Sequence, residues 1–244
     1  MNRKITCVTG SSRGIGKAIS ESFAAAGYDI VLNCQKDVAA MEQVRQELEE
    51  TYSIRCFALA ANVSDSQEVL LGFQKVAEEF GEIDVLINNA GISYFGLLSD
   101  MTFSQWQQVL NTNLSSAFYC AKQVIPAMVR RKHGRIINIS SIWGNCGASY
   151  ETAYSAAKGG LNTLTKALAK ELAPSNIPVN AISCGVIDTE MNAHLSAEER
   201  QALVDEIPAC RLGTPEEVGQ LTLLLAQAPT YLTGQIITMD GGLL

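Results

Sequence analysis

The sequence predicts a single α/β domain built on a doubly wound, mostly parallel sheet of about seven strands flanked by helices. Two observations support this prediction. Short apolar segments with high β-propensity alternate with helical segments along the chain, which is typical of a parallel sheet covered on both faces. In addition, no Pro- or Ser-rich linker, internal repeat or low-complexity tract divides the chain. We therefore expect residues 1–244 to form one domain.

The composition excludes several classes of function. Eighteen Lys and Arg against twenty-five Asp and Glu give a formal net charge of −7, which argues against general binding to nucleic acid or anionic membranes. Seven scattered cysteines and two histidines form no metal-ligand pattern. No apolar window reaches the length of a membrane span. We expect a cytoplasmic protein with free thiols and without a bound metal.

The first predicted strand leads directly into a glycine-rich loop. Residues 5–9 are apolar and β-prone, residues 10–16 follow with the spacing G-x-x-x-G-x-G, and a helix is predicted at 17–26. Glycine lets the backbone approach a ligand closely, and a helix N-terminus presents unpaired N–H groups to an anion. A tight turn without a ligand would also use these glycines. The position between a strand and a helix favours phosphate binding.

The end of the second predicted strand, residues 28–34, distinguishes between two cofactors. In many dinucleotide sites a carboxylate about 20 residues after the glycine loop holds the ribose hydroxyls of NAD. Here residues 33–36 are Asn, Cys, Gln and Lys, and the first acid is Asp37. Arg13 in the glycine loop, assisted by Lys36, can instead pair with a 2′-phosphate. NADP is therefore favoured over NAD.

The later elements continue the alternation. Strands are predicted at residues 54–60, 83–87, 135–140, 179–183 and 235–239, and helices at 38–50, 65–81, 150–172 and from 214 onwards. A further helix opens at 102–105, and a second helical stretch carries Asn113 and continues to Arg131. The strand at 83–87 ends in an Asn-Asn-Ala-Gly run, which suits a crevice wall beside a ligand but is also found in plain turns. Residues 190–213 interrupt the alternation and are predicted to form a short helical flap over the crevice.

Tyr154 and Lys158 lie four residues apart in the long predicted helix, so both side chains stand on one face. A nearby ammonium favours the phenolate and lowers the phenol pKa into a useful range. Ser141, at the end of the strand before this helix, can direct its hydroxyl at the tyrosine. The three residues predict proton transfer at a carbonyl oxygen, although a Tyr and a Lys at this spacing are also common as a surface pair.

Five motifs in order resemble those of the short-chain dehydrogenase/reductase family along nearly the whole chain. They are Thr9-Gly10-x-x-x-Gly14-Ile15-Gly16, Asn88-Asn89-Ala90-Gly91, Asn113, Ser141 and Tyr154-x-x-x-Lys158. Within the family the chain is most similar to bacterial 3-oxoacyl-acyl-carrier-protein reductases, in the runs 9–16, 111–116, 133–138, 211–218 and 234–242. The resemblance implies a Rossmann fold.

The resemblance also implies residue roles. Tyr154 would protonate the carbonyl oxygen during hydride delivery, and Lys158 would lower its pKa and hold the nicotinamide ribose. Ser141 would bond the substrate oxygen, and Asn113 would maintain a proton-relay water. The expected cofactor residues are Gly10, Ser12, Arg13, Gly14, Ile15, Gly16, Asn33, Asn62, Val63, Asn89, Ala90, Gly91, Tyr154, Lys158, Ile187 and Thr189.

The implied reaction is NADPH-dependent reduction of a 3-oxoacyl thioester in fatty acid synthesis, with acyl carrier protein as partner. A hydroxysteroid, sugar or polyol dehydrogenase and a non-catalytic nucleotide-binding scaffold stay open as alternatives. Two departures weaken the carrier-protein assignment. Cys184-Gly185 replaces the family's usual Pro-Gly, and the turn at 173–177 lacks a basic residue. The remaining basic cluster is Arg130, Arg131, Lys132 and Arg135, which is also typical of a solvated helix end.

Substrate contacts and assembly are predicted from apolar and small residues. Tyr94, Phe95, Trp143 and Tyr150 could line an open apolar cleft near Tyr154 or belong to the core. The small residues at 153–160 and the apolar end at 241–244 suggest buried subunit contacts. Because relatives of this size are commonly homotetramers, we expect the same assembly here.

Overall fold

The computed structural model describes residues 3–192 and 196–244. Within these ranges the strands of one sheet are β1 (Ile5–Val8), β2 (Asp29–Cys34), β3 (Cys56–Ala60), β4 (Val85–Asn88), β5 (Arg135–Ser141), β6 (Val179–Cys184) and β7 (Ile236–Met239). All neighbouring strands are parallel, and the order across the sheet is 3-2-1-4-5-6-7. The strand order reverses between β1 and β4, where such sheets bind ligands outside the carboxyl ends of their strands. The predicted doubly wound fold is confirmed.

Helices cover both faces of the sheet. In the described ranges they are α1 (Gly14–Ala25), α2 (Val38–Tyr52), α3 (Ser66–Glu79), α4 (Phe103–Leu110), α5 (Ser116–Arg131), α6 (Trp143–Cys146), α7 (Thr152–Leu172), α8 (Ala197–Glu206) and α9 (Pro215–Gln227). The predicted caps of α3, α4 and α9 are present, since Asp65, Thr102 and Thr214 each accept a hydrogen bond from a backbone N–H of the first turn.

The helices differ from the prediction at three places. Helix α1 begins at Gly14 rather than at residue 17, because the extended backbone of Arg13 (φ −161°, ψ 175°) is its N-cap. The second helical stretch, expected to carry Asn113 and continue to Arg131, begins with a π-helical turn at Asn111–Ser115, which joins α4 to α5. The short helix α6 was not predicted; it is only one turn long and has no apolar periodicity to reveal it.

Two apolar layers bury the sheet from opposite sides. Because side chains alternate along a strand, Leu32 of β2 enters the layer formed with α1, α2 and α9, whereas Val31 enters the layer formed with α3, α5 and α7. β1 divides in the same way, with Val8 in the first layer and Cys7 in the second. Strands buried on both faces are nearly all apolar, which is why the sequence shows continuous rather than alternating hydrophobic runs.

The small residues of α7 are used inside the chain. Ala153 and Ala157 are buried in a third apolar cluster with Val109 of α4. A Cβ added to Gly160 would lie 2.9 Å from Cδ2 of Leu114. Close packing against α4 and the π-helical turn thus accounts for the small size of these three residues within one chain, and a subunit contact on this face stays a prediction.

The predicted flap is partly described. Residues Glu190–Asn192 form a 3₁₀ turn and α8 follows, while residues 193–195 lie outside the described residues. The ends of the segment are joined, because Ile187 pairs with Gly213 in an isolated bridge and Arg200 donates to Asp188 at 2.5 Å. The helical character of the described part agrees with the prediction, and its closure over the crevice stays a prediction.

A chain of buried polar side chains attaches α7 to the sheet. Asn88 of β4 donates its Nδ2 hydrogen to Asn138 Oδ1 of β5 at 2.8 Å, and Asn138 Nδ2 donates to Thr165 Oγ1 at 2.8 Å. Thr165 in turn donates to the Leu161 carbonyl at 2.8 Å. Buried polar groups are costly unless they are paired. This chain therefore fixes where α7 lies along β5.

We predict that Thr165→Val lowers the free energy of unfolding by about 1–3 kcal/mol, because it leaves the buried Asn138 amide without its acceptor. Val keeps the volume and the β-branch. The matched control is Thr163→Val on the same helix, where the threonine is exposed and bonds only the Gly159 carbonyl; we expect a change within about 0.5 kcal/mol. Urea unfolding followed by circular dichroism measures both. Equal effects in the two variants would contradict a role for the buried chain.

Candidate active site

Strand ends bring polar residues to one edge of the sheet. Thr9 follows β1 directly, and Asn33, Asn88, Ser141 and Cys184 lie at or near the carboxyl ends of β2, β4, β5 and β6. Ser141 and Cys184 are paired in register across β5 and β6. Helix α7 begins at the same edge and carries Tyr154 and Lys158 (residues 152–172). The structure thus gathers the residues that the sequence separates widely.

Lys158 is almost completely buried, with 4% of its surface exposed. Its Nζ donates to the Ile139 carbonyl of β5 at 2.8 Å and lies 5.5 Å from the centroid of the Tyr154 ring. Burial lowers the pKa of Lys158 to about 8, because desolvation disfavours the ammonium. The predicted common face for Tyr154 and Lys158 is confirmed.

The phenol of Tyr154 behaves differently from the expectation. Burial raises its pKa well above the ordinary value, and the hydrogen bond from Ser141 lowers it only in part. The expected lowering of this pKa by Lys158 does not occur, because desolvation dominates and the Lys158 amine is directed at Ile139. Ser141 also accepts a hydrogen bond from the Trp143 N–H at 3.2 Å, which fixes the position of its hydroxyl. At neutral pH the phenol therefore keeps its proton.

Asn113, in the π-helical turn, lies beside Lys158 of α7. Its Nδ2 donates to the carbonyls of Ile92 and Val109, each at 2.9 Å, and its Oδ1 accepts from the Ile92 N–H at 3.2 Å. A Cβ on Gly91 would lie 2.7 Å from Asn113 Oδ1 and 3.7 Å from Lys158 Nζ. Gly91, Asn113 and Lys158 are therefore neighbours, and a glycine is needed for the backbone to pass between them.

The glycine loop forms a cradle that fits a pyrophosphate. Gly10 and Gly14 have φ angles of +64° and +54°, and a Cβ on Gly16 would lie 2.2 Å from the Gly10 carbonyl oxygen. Helix α1 has no side-chain cap and no acidic residue in its first turn. Its first N–H groups are thus available to an anion, as a nucleotide phosphate requires. The glycine loop and the uncapped start of α1 fit a dinucleotide. The backbone N–H groups of Gly14, Ile15 and Gly16 would hold its phosphates.

Two amide side chains hold this loop in place. Asn89 Nδ2 donates to the carbonyls of Thr9 and Gly10 at 2.9 and 3.0 Å, and the N–H groups of Asn89 and Ala90 donate to Thr9 Oγ1. Asn33 Oδ1 accepts from the Gly10 N–H at 3.3 Å, while its Nδ2 donates to the carbonyl of Leu59 in β3 and to that of Ala61 directly after the strand. Because these groups are engaged within the protein, Asn33 and Asn89 contribute by positioning Gly10.

The remaining predicted cofactor residues lie around this cradle. Ser12 is partly exposed, and Arg13 is exposed and pairs with Glu190 at 3.1 Å. Thr189 lies over the loop, since its Cγ2 would be 3.6 Å from a Cβ on Gly14. Two other predicted residues are core residues whose side chains face inward, namely Val63 and Ile187. Asn62 forms a local turn, with its Oδ1 accepting from the backbone and hydroxyl of Ser64.

The four aromatic residues near Tyr154 divide into two groups. Tyr94 packs with Tyr154 in the third apolar cluster, and Trp143 is half-buried in α6. Phe95 and Tyr150 are exposed and stack on each other, with centroids 5.2 Å apart and planes 16° apart. The cleft-lining expectation therefore applies to Phe95 and Tyr150, whereas Tyr94 is a packing residue.

The basic cluster lies at the opposite edge of the sheet. Arg130 and Arg131 end α5 and pair with Glu82 and Asp84, which precede β4. Arg135 starts β5 and donates to the carbonyls of Leu225 and Ala228. Within one chain, these cations are thus separated from Tyr154 by the length of β5, and two of them, Arg130 and Arg131, are paired with carboxylates.

Several contacts at the site were not predicted. The Ile139 carbonyl that receives Lys158 is a backbone atom, so no residue type marks it. Gly144 of α6 allows α6 to touch α7, because a Cβ there would lie 2.7 Å from the Lys158 carbonyl carbon. Cys184 is buried, and burial raises its pKa to about 12 despite the nearby charge of Lys158.

Other types of site have no support in the described part of the chain. Residues 3–192 and 196–244 contain no group of three or more His, Cys, Asp or Glu side chains arranged to hold a metal ion. In the same ranges, no helix combines the length and the apolar character needed to cross a membrane. All seven cysteines are free.

Comparison with known proteins places the chain among enzymes of one family. The family described as short chain dehydrogenase matches residues 4–200. The 3-oxoacyl-[acyl-carrier-protein] reductase FabG of Escherichia coli (strain K12) is 38% identical over 241 residues, covering 98% of this chain and 97% of its own. The uncharacterized oxidoreductase YmfI of Bacillus subtilis (strain 168) is 37% identical, covering 98% of both chains.

A solved structure agrees with this placement. The crystal structure of a protein provisionally named a gluconate dehydrogenase, from Agrobacterium tumefaciens, superposes with a TM-score of 0.94 at 35% identity, covering 98% of this chain and 95% of its own. Fold, motif order and sequence identity therefore agree along the chain. The protein is an oxidoreductase with a nicotinamide cofactor and belongs to the short-chain dehydrogenase family.

Proposed function

We propose that the protein is an NADPH-dependent reductase that converts a 3-oxoacyl thioester into the 3-hydroxyacyl thioester. The observation that carries the proposal is the geometry at the carboxyl edge of the sheet, where Tyr154 is hydrogen-bonded to Ser141 and its ring centroid lies 5.5 Å from Nζ of Lys158. The substrate class is supported by the named activity of the E. coli relative at 38% identity.

In the proposed mechanism, Ser141 and Tyr154 bind the carbonyl oxygen from two sides. Bound NADPH would supply a hydride to the carbonyl carbon. Tyr154 gives its proton to the oxygen as negative charge develops there, and Ser141 stabilises the same charge by donating a hydrogen bond. With its pKa raised by burial, Tyr154 is protonated at neutral pH and so carries the proton that reduction requires, and negative charge developing on the substrate oxygen drives the transfer. Lys158 is proposed to return a proton to the phenol afterwards, with Asn113 helping to maintain the water through which the proton is relayed from solvent.

We predict that Tyr154→Phe lowers kcat for ketone reduction by at least about a hundredfold, because the variant has no acid at this position. Tyr94→Phe is the matched control, since Tyr94 packs in the same cluster and lies just outside the proposed reaction centre. Its kcat should stay within about twofold of wild type. Cofactor oxidation at 340 nm measures turnover, and fluorescence titration checks that both variants still bind NADPH. A Tyr154→Phe variant that retains most of the wild-type turnover would contradict the proposed mechanism.

The pKa of Lys158 predicts a pH dependence for reduction. With a pKa of about 8, Lys158 carries its positive charge below pH 8 and loses it above. We expect kcat/KM to be constant below about pH 7 and to fall about tenfold per pH unit above about pH 9. In Lys158→Arg the guanidinium stays charged over this range, so the fall in kcat/KM should move to higher pH, whatever the residual rate of the variant. An unchanged position of the fall in this variant would assign it to another group.

We also propose that the cofactor is NADPH rather than NADH. Arg13 lies within the glycine cradle, between Gly10 and Gly14, and its guanidinium is accessible to solvent. Its present partner, Glu190, is also exposed, so this ion pair contributes little stability and a 2′-phosphate can replace it. At the end of β2, Gln35 and Lys36 are exposed and bring no negative charge to the ribose site.

We predict that Arg13→Ala lowers the ratio of kcat/KM for NADPH to that for NADH by about tenfold or more, because one charge-assisted contact with the phosphate is lost. Arg130→Ala is a closely matched control. Its side chain is 65% exposed against 66% for Arg13, and it also pairs with a single glutamate, but at the opposite edge of the sheet. Steady-state kinetics with both cofactors measures the ratio. A wild-type preference for NADH would contradict the assignment.

Acyl carrier protein is proposed as the physiological carrier of the substrate, because the E. coli relative is named for that activity. The paired basic cluster at Arg130 and Arg131 gives this step weak support. A sugar or polyol dehydrogenase is the second candidate, favoured by the structural match to the provisionally named gluconate dehydrogenase. The deciding assay compares acetoacetyl thioester, free and carrier-bound, with cyclic ketones and sugar acids. Turnover of the sugar acids alone would favour the second candidate.

We further propose that the protein is a homotetramer in the cytoplasm. Exposed apolar side chains at Leu224 and Leu244 support assembly through α9 and the chain end. Light scattering of the purified protein measures the assembly. Seven free cysteines suit a reducing compartment.

A further inference from the structure

Phe95 and Tyr150 form an exposed aromatic pair from two different loops. Phe95 lies between β4 and α4, and Tyr150 lies between α6 and α7. The rings stack with centroids 5.2 Å apart, yet 67% of Phe95 and 45% of Tyr150 remain exposed. Neither ring belongs to one of the apolar core clusters. The pair is therefore a surface feature with a large apolar area.

The backbone of Tyr150 is held in an unusual conformation. Its φ angle is +63°, in the left-handed region that bulky residues rarely adopt because Cβ approaches the following carbonyl oxygen. Such a conformation persists only where the surroundings hold it, and it is concentrated at functional sites. Here two hydrogen bonds join the loops on either side of the pair. Gly96 N–H donates to the Tyr150 carbonyl at 2.9 Å, and Ser93 Oγ donates to Glu151 Oε1 at 2.5 Å.

The pair is carried by two loops that lead into the proposed reaction centre. Tyr150 precedes Tyr154 by four residues and lies just before α7, and Phe95 follows Tyr94, which packs against the same apolar cluster as Tyr154. Three residues before Phe95, Ile92 holds Asn113 through its N–H and carbonyl. A substrate whose carbonyl oxygen meets Tyr154 thus has these two rings beside the part of the molecule that projects toward solvent.

We propose that the Phe95–Tyr150 pair determines specificity by binding the apolar chain of the ketone substrate beyond its reacting carbons. This inference rests on the proposed function and defines its substrate as an acyl group with a medium or long chain. The rings offer apolar faces, and the neighbouring Glu151 carboxylate, engaged by Ser93, disfavours an anionic group at this position. The site therefore selects a neutral hydrocarbon chain over a short acyl group or a sugar acid.

The expected effect follows from the apolar area covered. Each methylene group removed from water strengthens binding about fourfold, so partial coverage of a chain extended by four methylenes gives about tenfold. Because the contact is the same in the ground state and in the transition state, removing a ring should raise KM and leave kcat nearly constant.

The test compares acetoacetyl and 3-oxooctanoyl thioesters of N-acetylcysteamine. For wild type we expect kcat/KM to favour the longer chain by about tenfold. Phe95→Ala and Tyr150→Asn should each remove most of this preference through KM, Asn being a residue that tolerates the left-handed backbone. Tyr231→Ala is the control, because Tyr231 is fully exposed before β7, at the opposite edge of the sheet. An unchanged preference in both cleft variants would overturn the proposal.

A binding measurement separates this proposal from the proposed function. Calorimetric titration with octanoyl and acetyl thioesters, which lack the reducible ketone, reports chain binding without turnover. We expect wild type to bind octanoyl thioester about tenfold more tightly than acetyl thioester. We expect Phe95→Ala to bind the two thioesters with about equal affinity. Absence of any chain preference in wild type would overturn the inference even if acetoacetyl thioester is reduced. A preference that the variants lose, without reduction of either ketone, would support chain binding and refute the proposed reaction.

Discussion

Lys158 is a charged side chain that folding removes almost completely from water, and the crevice is arranged around its burial. Desolvation of an ammonium is costly unless the group is paired, and here the Ile139 carbonyl provides the hydrogen-bond acceptor. To reach it, α7 must pass close to the end of β5, which requires Gly144 in α6 and Gly91 after β4. The same approach brings Tyr154 to Ser141. One buried amine thus sets the distance between helix and sheet.

Polar side chains hold the cofactor cradle from behind. Thr9, Asn33 and Asn89 bond backbone groups of the loops at the ends of β1, β3 and β4. Their amide and hydroxyl groups are consumed by the protein itself, so the groups left to meet a ligand are mainly backbone N–H groups. A preorganised cradle of this kind loses little freedom when an anion binds. This division of labour explains why residues beside the loop matter even where they face away from a ligand.

The sequence predicted the parts of the fold that depend on local chemistry. The caps at Asp65, Thr102 and Thr214 follow from side-chain hydrogen bonding, and the strands follow from apolar runs. The Tyr154 and Lys158 arrangement follows from helix geometry. The direction of the Tyr154 pKa shift could not be predicted, because the balance between burial and a nearby charge depends on depth within the fold. The pairing of Arg130 with Glu82 was also beyond reach, since it joins residues 48 positions apart.

The π-helical turn at Asn111–Ser115 makes chain length itself a structural quantity. Such a turn holds one residue more than an α-helical turn, and each residue advances a helix by about 100°. Loss of one residue between α4 and α5 would restore the regular repeat and rotate Asn113 relative to α5, away from the Ile92 backbone that it bonds. A substitution in this turn changes one side chain and leaves the others in place. A deletion instead rotates all the helical residues before it relative to α5. The segment is thus tolerant of chemical variation and intolerant of a change in length.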